Sequence, residues 1–430
     1  MNFGSKNLTT LLSSEEFFKT SFGNIIEWYD FSLYGIFAVS IAHSFFPNHS
    51  QFISILMTLL MFSISFAARP IGSLIFGYMG DKLGKLYSVN LSIWCMAIPT
   101  ALIGLLPTYA QIGSVAPISL IILRFIQGVS AGGQFSGLIA IAVTNFKQIR
   151  SFCISIILTV SMAGSLLASI IGLISYKLFN IITLSDIAWR VPFIISGILF
   201  LIYLRTKPTI VKENIQLNYK LKDIFKKQTY EMIYMTLLSG VMCSIYYILY
   251  SYSVTFMRIH LAISESKPLI AINILFFISL ICYPIFGKLA DKTNNRIKIT
   301  KTFTLLLAIS IILLSSRLNF SWILCCLTIM VIINCGISTY MTSMFAEIFD
   351  DKYKMTACSL CYSIGAVLGG FSPSIAEIAT QGSPSGFYML LLSLSFALYL
   401  LLDRIPETRG YKMFILKNCK NPESTSKVNY

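Results

Sequence analysis

Gly23-Asn24-Ile25-Ile26-Glu27-Trp28-Tyr29-Asp30-Phe31-Ser32-Leu33-Tyr34-Gly35 opens the first long apolar segment of the chain and carries two carboxylates inside it. On a helix, Asn24, Glu27, Asp30 and Tyr34 follow at spacings of three, three and four, so all four project from one face. A carboxylate at mid-span costs roughly 2.5 to 3.5 kcal/mol on insertion scales and more in simulations. The stripe is therefore expected to face a protein interior or a water-filled path. The rest of the chain is expected to form the wall around that path.

Composition agrees with a membrane setting. The 430 residues are 56% hydrophobic and 12% charged, with a mean hydropathy of +0.75, far too apolar for a soluble protein. About 20 residues of helix cross the hydrocarbon core. Twelve segments are predicted to do so: 21–46, 51–77, 88–107, 115–143, 151–179, 190–205, 231–257, 268–288, 302–316, 320–345, 356–378 and 385–403.

The net charge of +15 raises the question of nucleic acid, and its distribution argues against it. With odd-numbered loops outside, Lys and Arg concentrate in the tails and in the loops after helices 2, 4, 6, 8 and 10. The exceptions are Lys177, Arg190, Arg258, Lys267 and Arg317 near outer loops, and Arg69 and Arg124 within spans. This positive-inside bias predicts that both termini are cytoplasmic. The ten Cys show no paired spacing, and Cys243, Cys282, Cys335, Cys358 and Cys361 fall inside spans as small apolar packers. Glu15 and Glu16 precede a full-length span, so helix 1 reads as an uncleaved anchor.

A loop motif occurs twice. Arg69-Pro70 is followed by Gly77-Tyr78-Met79-Gly80-Asp81-Lys82-Leu83-Gly84-Lys85. Pro284 is followed by Gly287-Lys288-Leu289-Ala290-Asp291-Lys292, with Arg296 beyond. The second copy comes about half a chain length later, which predicts two six-helix halves from one ancestral unit with the substrate site between them. Gly lets helix ends approach closely, and Asp with Lys beside it can pair across the halves or with a helix dipole. Arg69, Gly77, Asp81, Lys82, Gly84, Gly287 and Asp291 are accordingly assigned to a cytoplasmic gate; a loop held tight for topology is the plainer alternative.

Together with these loops, three further runs and the helix 1 stretch resemble the major facilitator superfamily. The runs are Arg124-Phe125-Ile126-Gln127-Gly128 with Gly132-Gly133, Trp189-Arg190-Val191-Pro192-Phe193, and Pro406-Glu407-Thr408-Arg409-Gly410. More narrowly the chain resembles the metabolite:proton symporters, which include proline/betaine, α-ketoglutarate, citrate and shikimate transporters. The resemblance spans residue 23 to about 410. It implies an all-α membrane fold of twelve transmembrane helices in two pseudo-symmetric bundles that alternate access around a central site, and coupling to protons through carboxylates. It points to Glu27 and Asp30 as proton and substrate residues, with Arg124 as their charge partner. The implied organisation is a cytoplasmic N-terminal segment 1–20, bundles 21–205 and 231–403, a linker 206–230 and a tail 404–430. The setting is the inner membrane of a bacterium, and the protein is expected to be monomeric and to need no cofactor or metal.

The pattern is departed from in several places. Gln134 stands where such proteins commonly carry Glu, which removes one possible proton carrier. Lys85 replaces an Arg, Asn294-Asn295 replace Gly-Arg, and Ser363 replaces an Asn. The tail from Tyr411 to Tyr430 has no heptad pattern.

Two readings stand for most of the candidate residues. Glu27 and Asp30 are either a proton relay or a buried structural ion pair with Arg124; burial disfavours a carboxylate's charged form and a nearby guanidinium favours it. Arg124 either holds a substrate carboxylate with its paired donors or is a fixed counter-ion. Asn24 and Tyr34 are supporting polar groups, and Arg69 lies nearer the cytoplasmic end. Tyr246 and Tyr250, one turn apart, either offer an aromatic face to a quaternary ammonium group or anchor the outer membrane interface. Gly128, Gly132, Gly133 and Gly137 have the spacing of close helix packing. His43, His49 and His260 read as loop residues.

Glu27 and Asp30 balance Arg69 and Arg124, leaving no surplus positive charge for a di- or tricarboxylate. The expected function is therefore proton-coupled symport of a small zwitterion of the proline or glycine betaine type. Alternatives are a carboxylate transporter resembling those for α-ketoglutarate or citrate, and an uncoupled facilitator or exchanger, which Gln134 makes credible. The chain has no His-Glu-x-x-His, Gly-x-Ser-x-Gly or nucleotide loop, so neither an enzyme nor a membrane sensor is expected.

Overall fold

The computed structural model describes residues 4–47, 51–146, 148–180, 185–205, 228–263, 266–317, 319–349, 354–380 and 383–404. Most of the predicted linker at 206–230, the tail beyond Arg404 with its Pro406-Glu407-Thr408-Arg409-Gly410 run, and His49 lie outside the described residues.

Helices account for nearly all of what is described. In chain order they are α1 (Gly4–Ile36), α2 (Ala38–Phe45), α3 (Gln51–Leu83), α4 (Lys85–Leu105), the single turn α5 (Tyr109–Ile112), α6 (Val115–Asn145), α7 (Arg150–Asn180) and α8 (Ser185–Arg205). They continue with α9 (Thr229–Tyr247), α10 (Ser266–Lys292), α11 (Arg296–Ser315), α12 (Phe320–Glu347), α13 (Lys354–Gly370), α14 (Ser372–Thr380) and α15 (Ser385–Leu402). Among the described residues, ten stretches, the first Lys85–Leu105 and the last Ser385–Leu402, are long and apolar enough to cross a membrane. α1 with α2, and α3, occupy the places of the first two predicted spans.

The surface is turned inside out relative to a soluble protein. On α6, Ile118, Ile122, Phe125 and Ile126 are exposed, while Arg124, Gln127, Ser130 and Gln134 are buried. Apolar side chains face outward and polar ones are sequestered, as expected for a lipid setting where no water can satisfy them.

Several boundaries differ from expectation for local reasons. Helix 1 starts at Gly4 rather than near residue 21 and pauses at Phe37 before α2, although Phe37 N–H still bonds Leu33 O at 2.9 Å and Ile41 N–H bonds Phe37 O at 2.9 Å. α3 runs unbroken through Pro70 to Leu83, so the first loop motif is itself helical. Its ring removes a backbone donor, and Ser73 Oγ donates to Pro70 O at 2.7 Å. Gly84, at φ +99°, then turns the chain into α4, a conformation that favours glycine. α9 continues through two π-helical stretches, Ile248–Tyr252 and Phe256–His260, with Ser253–Thr255 between them. The predicted span at 356–378 breaks at Phe371 into α13 and α14. Pro373 cannot continue the ladder there, and a Cβ on Gly369 would stand 2.4 Å from that of Cys243 on α9.

Glycine fixes the closest helix crossings. A Cβ on Gly128 would lie 2.2 Å from Ser65 O, and one on Gly132 would lie 2.1 Å from Arg69 O. α3 and α6 therefore touch backbone to backbone, the small-residue packing that holds helices together in lipid. This contact fixes where Arg69 sits.

Candidate functional site

The helix 1 stripe turns inward. Asn24, Glu27, Asp30 and Tyr34 are all buried, at 0%, 0%, 0% and 1% exposure. Two ion pairs lie along it, and they are unlike each other.

The first is tightly built. Arg124 Nη1 donates to Asp30 Oδ2 at 2.9 Å, and Gln127 Nε2 donates to Asp30 Oδ1 at 2.9 Å and to Thr100 Oγ1 at 2.7 Å. The Arg124 guanidinium rests 3.8 Å over the ring of Tyr34. Arg124 and Gln127 are both on α6, one turn apart, so a single helix face grips the carboxylate.

The second is loose. Arg69 Nη2 stands 3.5 Å from Glu27 Oε1, and neither carboxylate oxygen of Glu27 has a hydrogen-bond partner among the described residues. Arg69 lies 4.5 Å over the ring of Phe31 and 4.7 Å over that of Phe66. Two placements differ from expectation. Arg124 pairs with Asp30 rather than with both acids, and Arg69 stands beside Glu27 in the middle of α3 rather than near its end. The reason is helical arithmetic: α3 continues to Leu83, and at 1.5 Å per residue this leaves Arg69 roughly 20 Å from its C-terminal end.

The supporting residues flank these pairs. Asn24 Nδ2 donates to Ser161 Oγ at 2.8 Å, and Gln134 Nε2 is 3.5 Å from Gly23 O.

Beside the stripe lies a cavity of about 60 Å³, room for a few waters, which must widen to hold a metabolite. Its aromatic wall is Trp28, Phe135, Tyr246, Tyr247, Tyr283, Phe345 and Tyr362, and among the described residues no Asp, Glu, Lys or Arg lines it. Trp28 and Tyr246 meet edge to face at 5.5 Å, and the rings of Phe135 and Tyr362 lie tilted to each other at 4.9 Å. Tyr246 and Tyr250 are thus interior residues, not anchors at a membrane interface. Of the two, Tyr246 lines the cavity. Tyr250 stands behind it, stacked on Phe276 at 5.5 Å and bonded to Ser279 Oγ at 2.7 Å. Trp28, Phe135, Tyr283 and Tyr362 were missed because a single aromatic residue in an apolar span looks like any core residue.

The two loop motifs meet equivalent partners at one end of the molecule. Asp81 accepts from Thr356 N at 3.0 Å, Thr356 Oγ1 at 2.6 Å and Met355 N at 3.2 Å, in the first turn of α13. Asp291 accepts from Ser151 N at 2.8 Å and Phe152 N at 2.9 Å, in the first turn of α7. Each carboxylate thus satisfies free N–H groups at the positive end of a helix dipole. Burial raises the Asp81 carboxyl above its ordinary range, opposed by the Thr356 and Met355 hydrogen bonds and by the Lys85 charge. The glycines permit the approach: a Cβ on Gly77 would meet Thr356 Cα at 2.8 Å, and one on Gly287 would meet Ser155 Oγ at 2.1 Å. Lys82 lies 5.8 Å over the ring of Tyr78 on its own helix rather than across the interface.

Some departures from the expected pattern have structural uses. Lys85 Nζ donates to Thr144 Oγ1 at 2.9 Å, and Asn295 Oδ1 caps α11 by accepting from Lys298 N at 2.9 Å. Ser363 Oγ donates to Gly132 O at 3.3 Å. Glu347, which sequence reasoning missed, receives Arg150 at 3.0 Å and Arg296 at 2.9 Å. His43 and His260 are not loop residues: His43 lies in the last turn of α2, and His260 ends the second π-helical stretch, with Nε2 3.3 Å from Glu377 Oε2.

The contact of Asp81 with the first turn of α13 predicts a measurable shift. Asp81→Asn removes a charged acceptor whose hydrogen bonds are worth about 1.5–3 kcal/mol, so opening of this end is expected to become about 10- to 100-fold more favourable. A cysteine at Ser359, a buried position bonded to Ser136 at 2.8 Å across the same interface, reports it by faster labelling with a polar thiol reagent. Unchanged labelling would show that the contact does not hold this end shut.

Comparison with known proteins follows the same lines. The family model described as Major Facilitator Superfamily matches residues 20–373. The proline/betaine transporter of Escherichia coli (strain K12) is 29% identical over 402 residues, covering 87% of this chain and 80% of that protein. The citrate-proton symporter of Klebsiella pneumoniae is 28% identical over 386 residues, covering 85% and 86%. Among solved structures, a proton:xylose symporter superposes with a TM-score of 0.72 at 14% identity, covering 92% of this chain and 96% of that one. The human organic anion transporter MFSD10 superposes at 0.66 and 14% identity, covering 91% and 99%. With a family model spanning most of its length and an all-helical fold shared with these transporters, the chain is a multi-pass membrane transporter, not an enzyme, and belongs to the Major Facilitator Superfamily.

Proposed function

We propose that the protein is a proton-coupled symporter of a small zwitterion of the proline or glycine betaine type. The observation that carries this reading is the two-by-two pairing of the buried charges beside a cavity that has none among the described residues. Asp30 is fully engaged by Arg124 and Gln127, while Glu27 has only a 3.5 Å contact with Arg69. Glu27 is the proton carrier in this reading, and Asp30 with Arg124 is a fixed brace. A proton binds Glu27 when Arg69 moves away and leaves when it returns, since a nearby guanidinium favours the charged carboxylate.

The cavity supports a solute with no net charge. A di- or tricarboxylate brought there would be an uncompensated buried anion, whereas a zwitterion carries its own counter-charge. The similarity to proline/betaine transporters supports the same choice, and the comparable similarity to a citrate-proton symporter defines the competing one.

Transport proceeds by alternating access between bundles 21–205 and 231–403, six helices each, joined by the linker 206–230. Counting α1 with α2, and α3, as spans gives twelve. The setting is a bacterial inner membrane with both termini cytoplasmic, so the Asp81 and Asp291 latches form the cytoplasmic gate. Gly77, Gly84 and Gly287 let its helices close.

Purified protein in liposomes is expected to take up labelled proline or glycine betaine, with competition from each and none from α-ketoglutarate or citrate. The opposite pattern would replace the zwitterion with a carboxylate.

A further inference from the structure

We infer that the cavity selects a fully methylated, quaternary ammonium over a primary or secondary one and receives the attached carboxylate at the Trp28 indole. This rests on the zwitterion reading above and adds which zwitterion.

The argument begins with what the wall lacks. A primary or secondary ammonium brings N–H donors that need acceptors once water is removed, and a desolvated donor without one is costly. Among the described residues no carboxylate lines the cavity. Among its hydroxyls, Ser161 Oγ donates to Ile157 O at 2.9 Å and accepts from Asn24, and Ser239 Oγ donates to Cys361 O at 3.1 Å; the acceptors left, with Ser338 and Thr342 and the tyrosine hydroxyls, are neutral oxygens that bind an ammonium more weakly than a carboxylate does. A quaternary nitrogen has no N–H to satisfy.

What the wall offers is aromatic faces. Trp28, Phe135, Tyr246, Tyr247, Tyr283 and Tyr362 surround the space, and a methylated ammonium spreads its charge over methyl groups that pack on such rings.

The other end of the solute has a donor waiting. Trp28 is 8% exposed, and its Nε1–H has no acceptor among the described residues. A buried unsatisfied donor is unfavourable, and a carboxylate oxygen would complete it as the cavity widens. Trp28 therefore contributes its ring to the wall and its N–H to the anion.

The test is a methylation series on the reconstituted full chain. Glycine, N-methylglycine, N,N-dimethylglycine and glycine betaine compete against labelled glycine betaine and, separately, labelled proline. Inhibition is expected to strengthen with each methyl, at least about tenfold from first to last. Choline, which has the quaternary nitrogen without the carboxylate, is expected to compete poorly. In Trp28→Phe, which keeps a ring and removes the N–H, the preference for glycine betaine over choline is expected to fall severalfold while the methyl trend persists. A flat or reversed series with the zwitterions still transported overturns this inference alone. Uptake of labelled citrate with none of the zwitterions overturns the proposed function with it. The series on the unaltered protein decides the matter even if the variant fails to fold.

Discussion

Glu27→Gln is expected to abolish concentrative uptake and to leave solute exchange within a few-fold of the parent protein. A gradient of one pH unit supports about tenfold accumulation per coupled proton. In the variant the accumulation ratio falls to one, because an amide of the same shape cannot take up or release a proton. The loose geometry makes this separation possible. Glu27 has a single 3.5 Å charge contact and no hydrogen bond among the described residues, so the amide breaks no built network. Exchange measures only the passage of solute and needs no titration. The pH dependence of exchange should flatten in the same variant. If Glu27 were a structural brace, exchange would be lost together with accumulation.

The largest effect on stability is expected at the other pair. Arg124→Leu or Asp30→Asn leaves one charge buried without its partner, at a cost of about 3–5 kcal/mol. Asp30 would lose one of two hydrogen bonds and its counter-charge, and Arg124 would be left against the rings of Tyr34 and Phe193, neither of which carries a charge. Either single variant should lower the thermal midpoint of the purified protein sharply and reduce its yield. The double variant Asp30→Asn with Arg124→Leu should recover much of that loss, since no lone charge remains. A double variant no better than the worse single one would show that the pair acts through something besides mutual neutralisation. Transport in the recovered double variant would further separate a brace from a substrate contact at Arg124.

What could be read from the sequence was what depends on spacing along one helix or on repetition. Asn24, Glu27, Asp30 and Tyr34 share a face because 3.6 residues make a turn, and the structure buries all four. The duplicated loop motif was equally visible, and its two aspartates meet equivalent helix ends. Partner choice was not visible, because it depends on how far a neighbouring helix runs. Arg69 looked close to a loop until α3 proved helical to Leu83 and set it opposite Glu27. The cavity wall was hidden for another reason. Trp28, Tyr283 and Tyr362 come from separate helices and share no spacing, so only folding brings them together. Tyr246 could not be separated from an interfacial tyrosine while the two π-helical stretches that follow it were unknown.

The central claim is that solute and protons cross together by way of Glu27. Its most direct test records the pH inside proteoliposomes, with a trapped indicator and no imposed gradient, as glycine betaine or proline is added outside. Inward solute flow is expected to acidify the lumen in the unaltered protein, and Glu27→Gln should abolish that acidification. Solute entry with no change in internal pH, or acidification that persists in the variant, would contradict it.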